Sequence, residues 1–276
     1  MTRKRGSRDP RSPAPLGSSG GSGQGLPGRV KIIWARSFVK MVNMNKGVRL
    51  VLTPHMDDEV IGMGGTIAIL VKSGYQVVVV YLTDGAAAYE GRVLQGSERQ
   101  QYSSRRKSEA KEALGILGCT SDGLVFLSFP DARLAEYVPQ AVDEVVNLIL
   151  STGANVIYAP HPSEYHPDHR AANKIARLAA WNAMFLHGHK IEYLYEYEVW
   201  PPMQSFIGVV DVTDYVELKR RALEAYAKGS QRYLRPDALL ALNRYRGFWT
   251  DTRGYDGYAE VFNAIPAWIL RKEPPV

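Results

Sequence analysis

Residues 48–65 constrain this 276-residue chain more than any other stretch. Their first six residues, 48–53, are mostly apolar and β-branched, which predicts a short buried strand. Pro54 ends the strand because proline has no N–H for a sheet ladder. An imidazole and three carboxylates then follow within five residues: His55, Asp57, Asp58 and Glu59. The glycine-rich segment 62–65 leads from this polar cluster into a helix.

A second polar cluster follows another apolar strand, at residues 155–160. It contains three histidines and a carboxylate that are candidates for a site: His161, His166, Asp168 and His169. Since the carboxyl ends of parallel strands meet at one edge of a sheet, the two clusters are expected to form one site there. The pattern predicts an α/β protein with a Rossmann-like, mostly parallel sheet, helices on both faces and the site at the carboxyl ends of the strands.

The residue types in the two clusters predict a metal centre. His55 and Asp58 can chelate one cation from the same turn, and His169 would complete a zinc site of two histidines and one carboxylate, with one position open for water. The same ligands would accept another divalent transition metal. Asp57 stays free for proton transfer, although a carboxylate there can also simply cap the following helix.

The remaining elements are predicted from their periodicity and breakers. Two more buried strands are expected at 75–82 and 124–129, and later strands at 191–199, with one solvated face, and at 207–212. Helices are expected at 97–117, 138–150 and 168–186, and another from Asp214 to residue 228. The small-residue loop 86–96 and the segment 231–262, rich in Arg and Tyr, are predicted to cover substrate or to contact another subunit.

Two motifs, P-H-x-D-D-E at 54–59 and H-P-D-H at 166–169, resemble those of the LmbE/PIG-L family of zinc-dependent N-deacetylases, which act on N-acetylglucosamine-type sugars. The likeness extends through most of the chain after about Val48. It includes the segments 83–85, 106–109, 210–212, 230–231 and 259–262. The resemblance implies a hydrolase that removes an N-acetyl group from an amino-sugar or its conjugate.

The resemblance also implies roles for individual residues. Asp57 would be the general base, and His166 would stabilise the oxyanion or protonate the leaving amine. Asp168 would orient His166 and keep it charged. Arg106 and Asp131 match positions that contact substrate in the family. Their plainer interpretations are a surface pair of Arg106 with Glu109 and a turn cap at Asp131.

Charge is concentrated at the amino end. Residues 1–29 contain six basic side chains against one acidic side chain, whereas the remaining residues are close to neutral within a total of +6. This segment is rich in Ser, Gly, Pro and Arg and lacks an apolar pattern, so it is predicted to be a disordered basic tail. Residues 30–276 are predicted to form a single deacetylase domain. No nucleic-acid partner is expected, because the predicted domain is neutral.

The chain contains one cysteine, Cys119, so it cannot form an internal disulfide. No apolar run reaches the roughly 18 residues of a membrane span, and residues 1–29 lack the apolar core of a secretory signal. A cytoplasmic location and a possible homo-oligomer are the resulting expectations. The expected partner is a small N-acetylated amino-sugar or a glycoconjugate.

Two other functions stay open at this point. The first keeps the zinc site but cleaves a larger amide in a thiol-sugar conjugate. The second is a non-enzymatic nucleotide-binding protein, in which the glycines at 62–65 would cradle a phosphate. The preceding carboxylates argue against the second, since they would repel phosphate.

Overall fold

The computed structural model describes residues 47–89 and 92–272. Its strands are, in chain order, β1 (Val48–Thr53), β2 (Gln76–Thr83), β3 (Ala88–Tyr89), β4 (Arg92–Val93), β5 (Leu124–Phe129), β6 (Val156–Pro160), β7 (Tyr193–Tyr197), β8 (Gly208–Asp211) and β9 (Ala259–Pro266). Its α-helices are α1 (Asp58–Lys72), α2 (Gly96–Ile116), α3 (Val138–Thr152), α4 (Pro167–Leu186), α5 (Val216–Lys228), α6 (Pro236–Trp249) and α7 (Ala267–Lys272).

Seven strands form one sheet in the order β5-β2-β1-β6-β7-β9-β8, and β3 and β4 pair separately as an antiparallel hairpin. The first five strands of that order are parallel to one another, and β9 runs antiparallel to both β7 and β8. This is the mostly parallel α/β sheet predicted from the sequence. Each helix in the described ranges is too short or too polar to traverse a lipid bilayer.

The sheet separates two hydrophobic cores because successive strand residues point to opposite faces. In β1, Val51 packs into one core with residues of α1, α2, α5 and α6, and Leu50 and Leu52 pack into the other with residues of α3, α4 and α7. All three side chains are fully buried. A strand covered on both faces reads as a continuous apolar run, which is why β1 and β2 were recognisable from sequence.

The expected early strands and the helices at 97–117, 138–150 and 168–186 are confirmed to within a few residues. The solvated face predicted for the strand at 191–199 is wrong. Four of the five residues of β7 are buried, because β7 lies between β6 and β9. Its Glu196 bonds to Asn173 and Arg177, which is how a carboxylate is accommodated there.

Two irregular segments contain more structure than predicted. The loop at 86–96 includes the β3–β4 hairpin, and the segment 231–262 includes α6 and the start of β9. The predicted tail, residues 1–29, lies outside the described residues.

Helix α1 is kinked at Met63, whose backbone angles are φ −145° and ψ 26°. The kink frees helix groups that a buried ion pair then satisfies. Lys219 Nζ donates to the Ile61 carbonyl at 2.7 Å and to Glu260 Oε1 at 2.8 Å. Glu260 in turn accepts the N–H groups of Gly65 and Thr66 at 2.9 and 2.7 Å. The nucleotide-binding interpretation of these glycines is therefore wrong, since Glu260 already occupies the N–H groups that a phosphate would use.

Replacing Lys219 by Met is expected to lower the free energy of unfolding by about 3 kcal/mol or more, as for other buried pairs that lose one partner. Both side chains of the pair are fully buried, so Glu260 would keep an uncompensated charge. Urea denaturation measures the change. Lys228→Met is the matched control, because Lys228 is 76% exposed and its pair with Glu224 is superficial. Equal stabilities for the two variants would contradict this account of the kink.

Candidate active site

The polar loops that follow β1, β2, β5 and β6 lie together at the carboxyl edge of the sheet. These four strands are neighbours in the parallel part of the sheet, so their ends converge as predicted. A cavity of about 250 Å³ opens there. It is lined by His55, Asp57, Asp58, Arg106, Asp131, His166, His169, Trp200 and Tyr233.

Asp58 lies between two imidazoles at the base of this cavity. Its Oδ2 atom is 3.1 Å from Nδ1 of His55 and 3.2 Å from Nε2 of His169. Burial alone would raise the pKa of Asp58, but the charge of His169 and the hydrogen bonds from both histidines hold it well below its usual range. The lowered pKa keeps this carboxylate in the ionised form that a cation ligand needs.

A carboxylate also faces the outer nitrogen of each imidazole. Nε2 of His55 is 3.0 Å from Asp131 Oδ1, and Nδ1 of His169 is 3.3 Å from Glu164 Oε2. Histidines that bind metals commonly donate their other N–H to a carboxylate in this way. Although burial opposes it, the hydrogen bond with His55 holds the pKa of Asp131 well below its usual range.

The hydrogen bonding of His169 also indicates that these residues can hold a metal ion. Both ring nitrogens of His169 are buried and make no well-formed hydrogen bond within the described part of the chain. Among the described residues, the potential ligand atoms that lie within 4.8 Å of one another form two sets that share His55, one with His166 and His169 and one with Asp131 and Asp168. In the second set, backbone N–H groups of Ala87, Ala132 and Leu134 already occupy the carboxylates.

Asp57 lies beside this cluster with a strained backbone. Its φ of 148° is rare for a residue with a side chain, and such outliers concentrate at functional sites. Tyr233 donates to Oδ2 at 3.1 Å, and Arg106 Nη2 is 3.5 Å from Oδ1. Burial and the charge of Asp58 raise the pKa of Asp57 to about 7, which suits a base that works near neutral pH.

The loop that carries Asp57 is held from several directions. The Met56 carbonyl accepts from Arg106 Nη2 at 2.6 Å and from Gln231 Nε2 at 2.5 Å. The N–H of Asp57 donates to Glu59, whose other oxygen accepts from two tyrosine hydroxyls, those of Tyr81 and Tyr226. Burial raises the pKa of Glu59 to about 8. These bonds stabilise the strained conformation.

Arg106 lines the cavity, but its guanidinium is committed to backbone carbonyls. Besides Met56, it donates to Gly85 at 2.8 Å. A side chain at Gly85 would collide with it, since a Cβ there would lie 2.8 Å from Arg106 Nη1. The surface pair of Arg106 with Glu109 does not form, because Glu109 is buried and accepts from the N–H and hydroxyl of Ser230.

The predicted pairing of the Asp168 carboxylate with His166 is corrected by the structure. The Asp168 oxygens accept from the N–H groups of Ala132 and Leu134, and one lies 3.4 Å from His55 Nε2. The bond to His166 runs instead from the backbone N–H of Asp168 to Nδ1, which makes His166 the N-cap of α4. The hydrogen bonds of the Asp168 carboxylate go to the loop at 132–134, and only its charge acts on His166. Burial and the charge of His55 lower the pKa of His166.

Several residues of the site were not assigned to it from sequence. Trp200 and Tyr233 line the cavity, and Glu164, Glu59 and Gln231 support its walls. Tyr233 reaches Asp57 from 176 residues away, a distance that local patterns cannot reveal. The sequence did contain one signal for Trp200: this residue follows closely after strand β7, as the other site residues follow their strands.

Fold and site together define an α/β protein with a candidate metal centre at the carboxyl edge of its sheet. The family model described as "PIG-L: GlcNAc-PI de-N-acetylase" matches residues 50–180. Diacetylchitobiose deacetylase of Thermococcus kodakarensis is 32% identical over 191 residues, which cover 64% of this chain and 68% of that protein. The chain belongs to the PIG-L family of de-N-acetylases, and the resemblance noted from its motifs is confirmed.

Solved structures share this fold. The conserved protein TT1542 from Thermus thermophilus is 28% identical and superposes with a TM-score of 0.65, over 83% of this chain and 95% of that one. N,N'-diacetylchitobiose deacetylase from Pyrococcus horikoshii, at 23% identity, has the same TM-score and covers 87% of this chain and 96% of its own. The second likeness supports the fold.

Proposed function

We propose that this protein hydrolyses the N-acetyl group of an N-acetylglucosamine-type amino-sugar or its conjugate. The observation that carries the proposal is the position of Asp58 between His55 and His169, with Asp57 beside them in the same cavity. The family and the Thermococcus relative support the reaction class. The cavity of about 250 Å³ suits a group the size of one sugar ring rather than a polymer.

We assign the metal ligands to His55 Nδ1, Asp58 and His169 Nε2, because each imidazole then keeps a carboxylate partner for its other nitrogen. Zn²⁺ is the ion that this set of two histidines and one carboxylate favours, and another divalent transition metal also suits it. Such an ion, when bound, lowers the pKa of a coordinated water and polarises the amide carbonyl.

The chain's own residues then supply the proton transfers. Asp57 takes a proton from the attacking water, and Arg106 and Tyr233 hold its carboxylate in place. The water oxygen bonds to the acetyl carbon, and the C–N bond to the sugar breaks. The proton that Asp57 takes is delivered to the leaving amine, and His166, half-buried in the wall of the same cavity, is placed to pass it on. The products are acetate and a free amino-sugar.

Asp131 has a supporting part in this proposal, because it bonds to His55 and to the Ala87 N–H. It also lines the cavity, where it can accept a bond from a sugar hydroxyl. Asp168 fixes the loop at 132–134 beside His55. The reaction is proposed to take place in the cytoplasm on a small-molecule substrate, and a homo-oligomer is compatible with it.

A panel of N-acetylated amino-sugars, free and conjugated, tests the proposal through the release of acetate. The panel includes N-acetylglucosamine, its methyl glycoside, diacetylchitobiose and a thiol-sugar conjugate whose amide is larger. Acetate and free amine in equal amounts from a sugar substrate are expected. Cleavage of the larger amide alone would establish the second hydrolase interpretation instead.

Removing residues 1–29 is expected to leave acetate release within about twofold of the full chain. The motif residues and their supports all lie after residue 47, and the segment 1–29 lacks an apolar pattern to pack. Steady-state kinetics of the two forms on one small substrate makes the comparison. A truncated form that aggregated or lost most of its turnover would show that these residues belong to the catalytic domain.

A further inference from the structure

A second cavity, of about 230 Å³, lies next to the candidate active site. It is formed between the start of α1, the segment after β7 and one face of α6. Ile61, Val199, Leu239 and Leu242 contribute apolar walls, and Trp200 lines this cavity as well as the first. The two cavities therefore lie against the same indole, which makes the second a neighbour of any ligand in the first.

The position of Trp200 is tied to the proposed metal ligands. Glu164 Oε1 accepts the N–H groups of Val199 and Trp200 at 2.9 and 3.3 Å. The other oxygen of Glu164 lies 3.3 Å from Nδ1 of His169. One buried carboxylate therefore contacts both the backbone that carries Trp200 and His169, a proposed metal ligand.

The polar groups of the second cavity are few and mostly occupied. Glu198 bonds through both oxygens to Arg246, and it also accepts the Met203 N–H. Asn243 donates from Nδ2 to the Ala259 carbonyl, and its buried Oδ1 has no partner within the described ranges. Among the lining side chains, this acceptor and the indole N–H of Trp200 are too few for the several hydroxyls of a second sugar, and burying unpaired hydroxyls is costly.

We propose that this second cavity, defined by Ile61, Val199, Trp200, Ala238, Leu242 and Asn243, binds an apolar aglycone of the sugar that is deacetylated. The inference rests on the proposed function and adds the class of substituent that the site selects. A volume of about 230 Å³ admits one ring or a short branched alkyl group. Asn243 Oδ1 can accept a single hydrogen bond from a donor on that group.

The test compares methyl and phenyl glycosides of N-acetylglucosamine, in both anomeric forms, by kcat/KM for acetate release. Wild-type protein is expected to prefer the phenyl glycoside of one anomer by about tenfold or more, the gain that burial of a small ring provides. Ala238→Phe and Ala238→Trp place a ring in the cavity from an exposed position of α6. Both variants are expected to reduce the phenyl-to-methyl ratio to about two or less.

The matched control is Ala241→Phe, which is exposed on the same helix but does not line the cavity, so it should keep the wild-type ratio. A wild-type ratio near one for both anomers would overturn the inference. A ratio that neither Ala238 variant changes would do the same. If the wild-type protein released no acetate from the methyl glycosides or from N-acetylglucosamine, the failure would lie in the proposed function itself.

Discussion

Asp57→Asn is expected to lower kcat for acetate release by at least about 100-fold, while the metal content stays at the wild-type level. The amide has nearly the size of the carboxylate and can keep the contact with Tyr233, but it cannot take a proton from water at neutral pH. Only the base is then lost. Acetate release and metal analysis on the same preparation measure both quantities.

The structure does not support the simpler interpretation of the Asp57 side chain as a helix cap. Asp57 occupies the N-cap position of α1, yet its side chain makes no capping hydrogen bond. Asp122→Asn, at an exposed turn away from the cavity, is the matched control and should retain full activity. A rate above about a tenth of wild type for Asp57→Asn would require another base, with Glu59 or Glu164 as the next candidates.

His55→Ala and His169→Ala are each expected to reduce the metal content from about one divalent ion per chain to less than about a tenth, with a parallel loss of activity. Each change removes one of the three proposed protein ligands of the ion. The carboxylates that contact the outer nitrogens of the two imidazoles cannot replace the lost ligand. His187→Ala is the matched control, since His187 is exposed and lies at the opposite end of the 20-residue helix α4 from His166 and His169. Metal analysis after dialysis against buffer without chelator gives the stoichiometry.

The two histidine variants also separate the overlapping ligand sets. His169 contacts Asp58 and belongs to the set with His55 and His166, but it does not belong to the set of His55, Asp131 and Asp168. Full metal content in His169→Ala together with loss in His55→Ala would assign the ion to the second set. Full content in His55→Ala would exclude every arrangement described for this cavity.

The parallel half of the fold was predictable because its strands are covered on both faces. β1 and β2 are long apolar runs that end in Pro54 and in the loop at 83–85, so their ends and their meeting point followed from sequence. The antiparallel part was harder. β7 carries Glu196, which indicates a solvated face by pattern, whereas Asn173 and Arg177 satisfy it inside the protein.

The candidate site was predictable where chemistry is local. His55, Asp57 and Asp58 share one turn, and His166 and His169 share another, so their types and spacing indicated the cluster. The orientation of Asp168 was not predictable, because the loop at 132–134 that binds its carboxylate is remote in sequence. Arg106 likewise holds the Met56 carbonyl from 50 residues away. Contacts of this kind depend on packing rather than on spacing.

Acetate and amine release by protein of known metal content is the most direct test of the central claim. The account predicts about one divalent ion per chain, equal amounts of acetate and free amine from an N-acetylglucosamine substrate, and loss of both products after chelation with recovery on addition of Zn²⁺. Turnover that persists unchanged after complete removal of the metal, or a fully loaded protein that releases no acetate from any sugar in the panel, would contradict it.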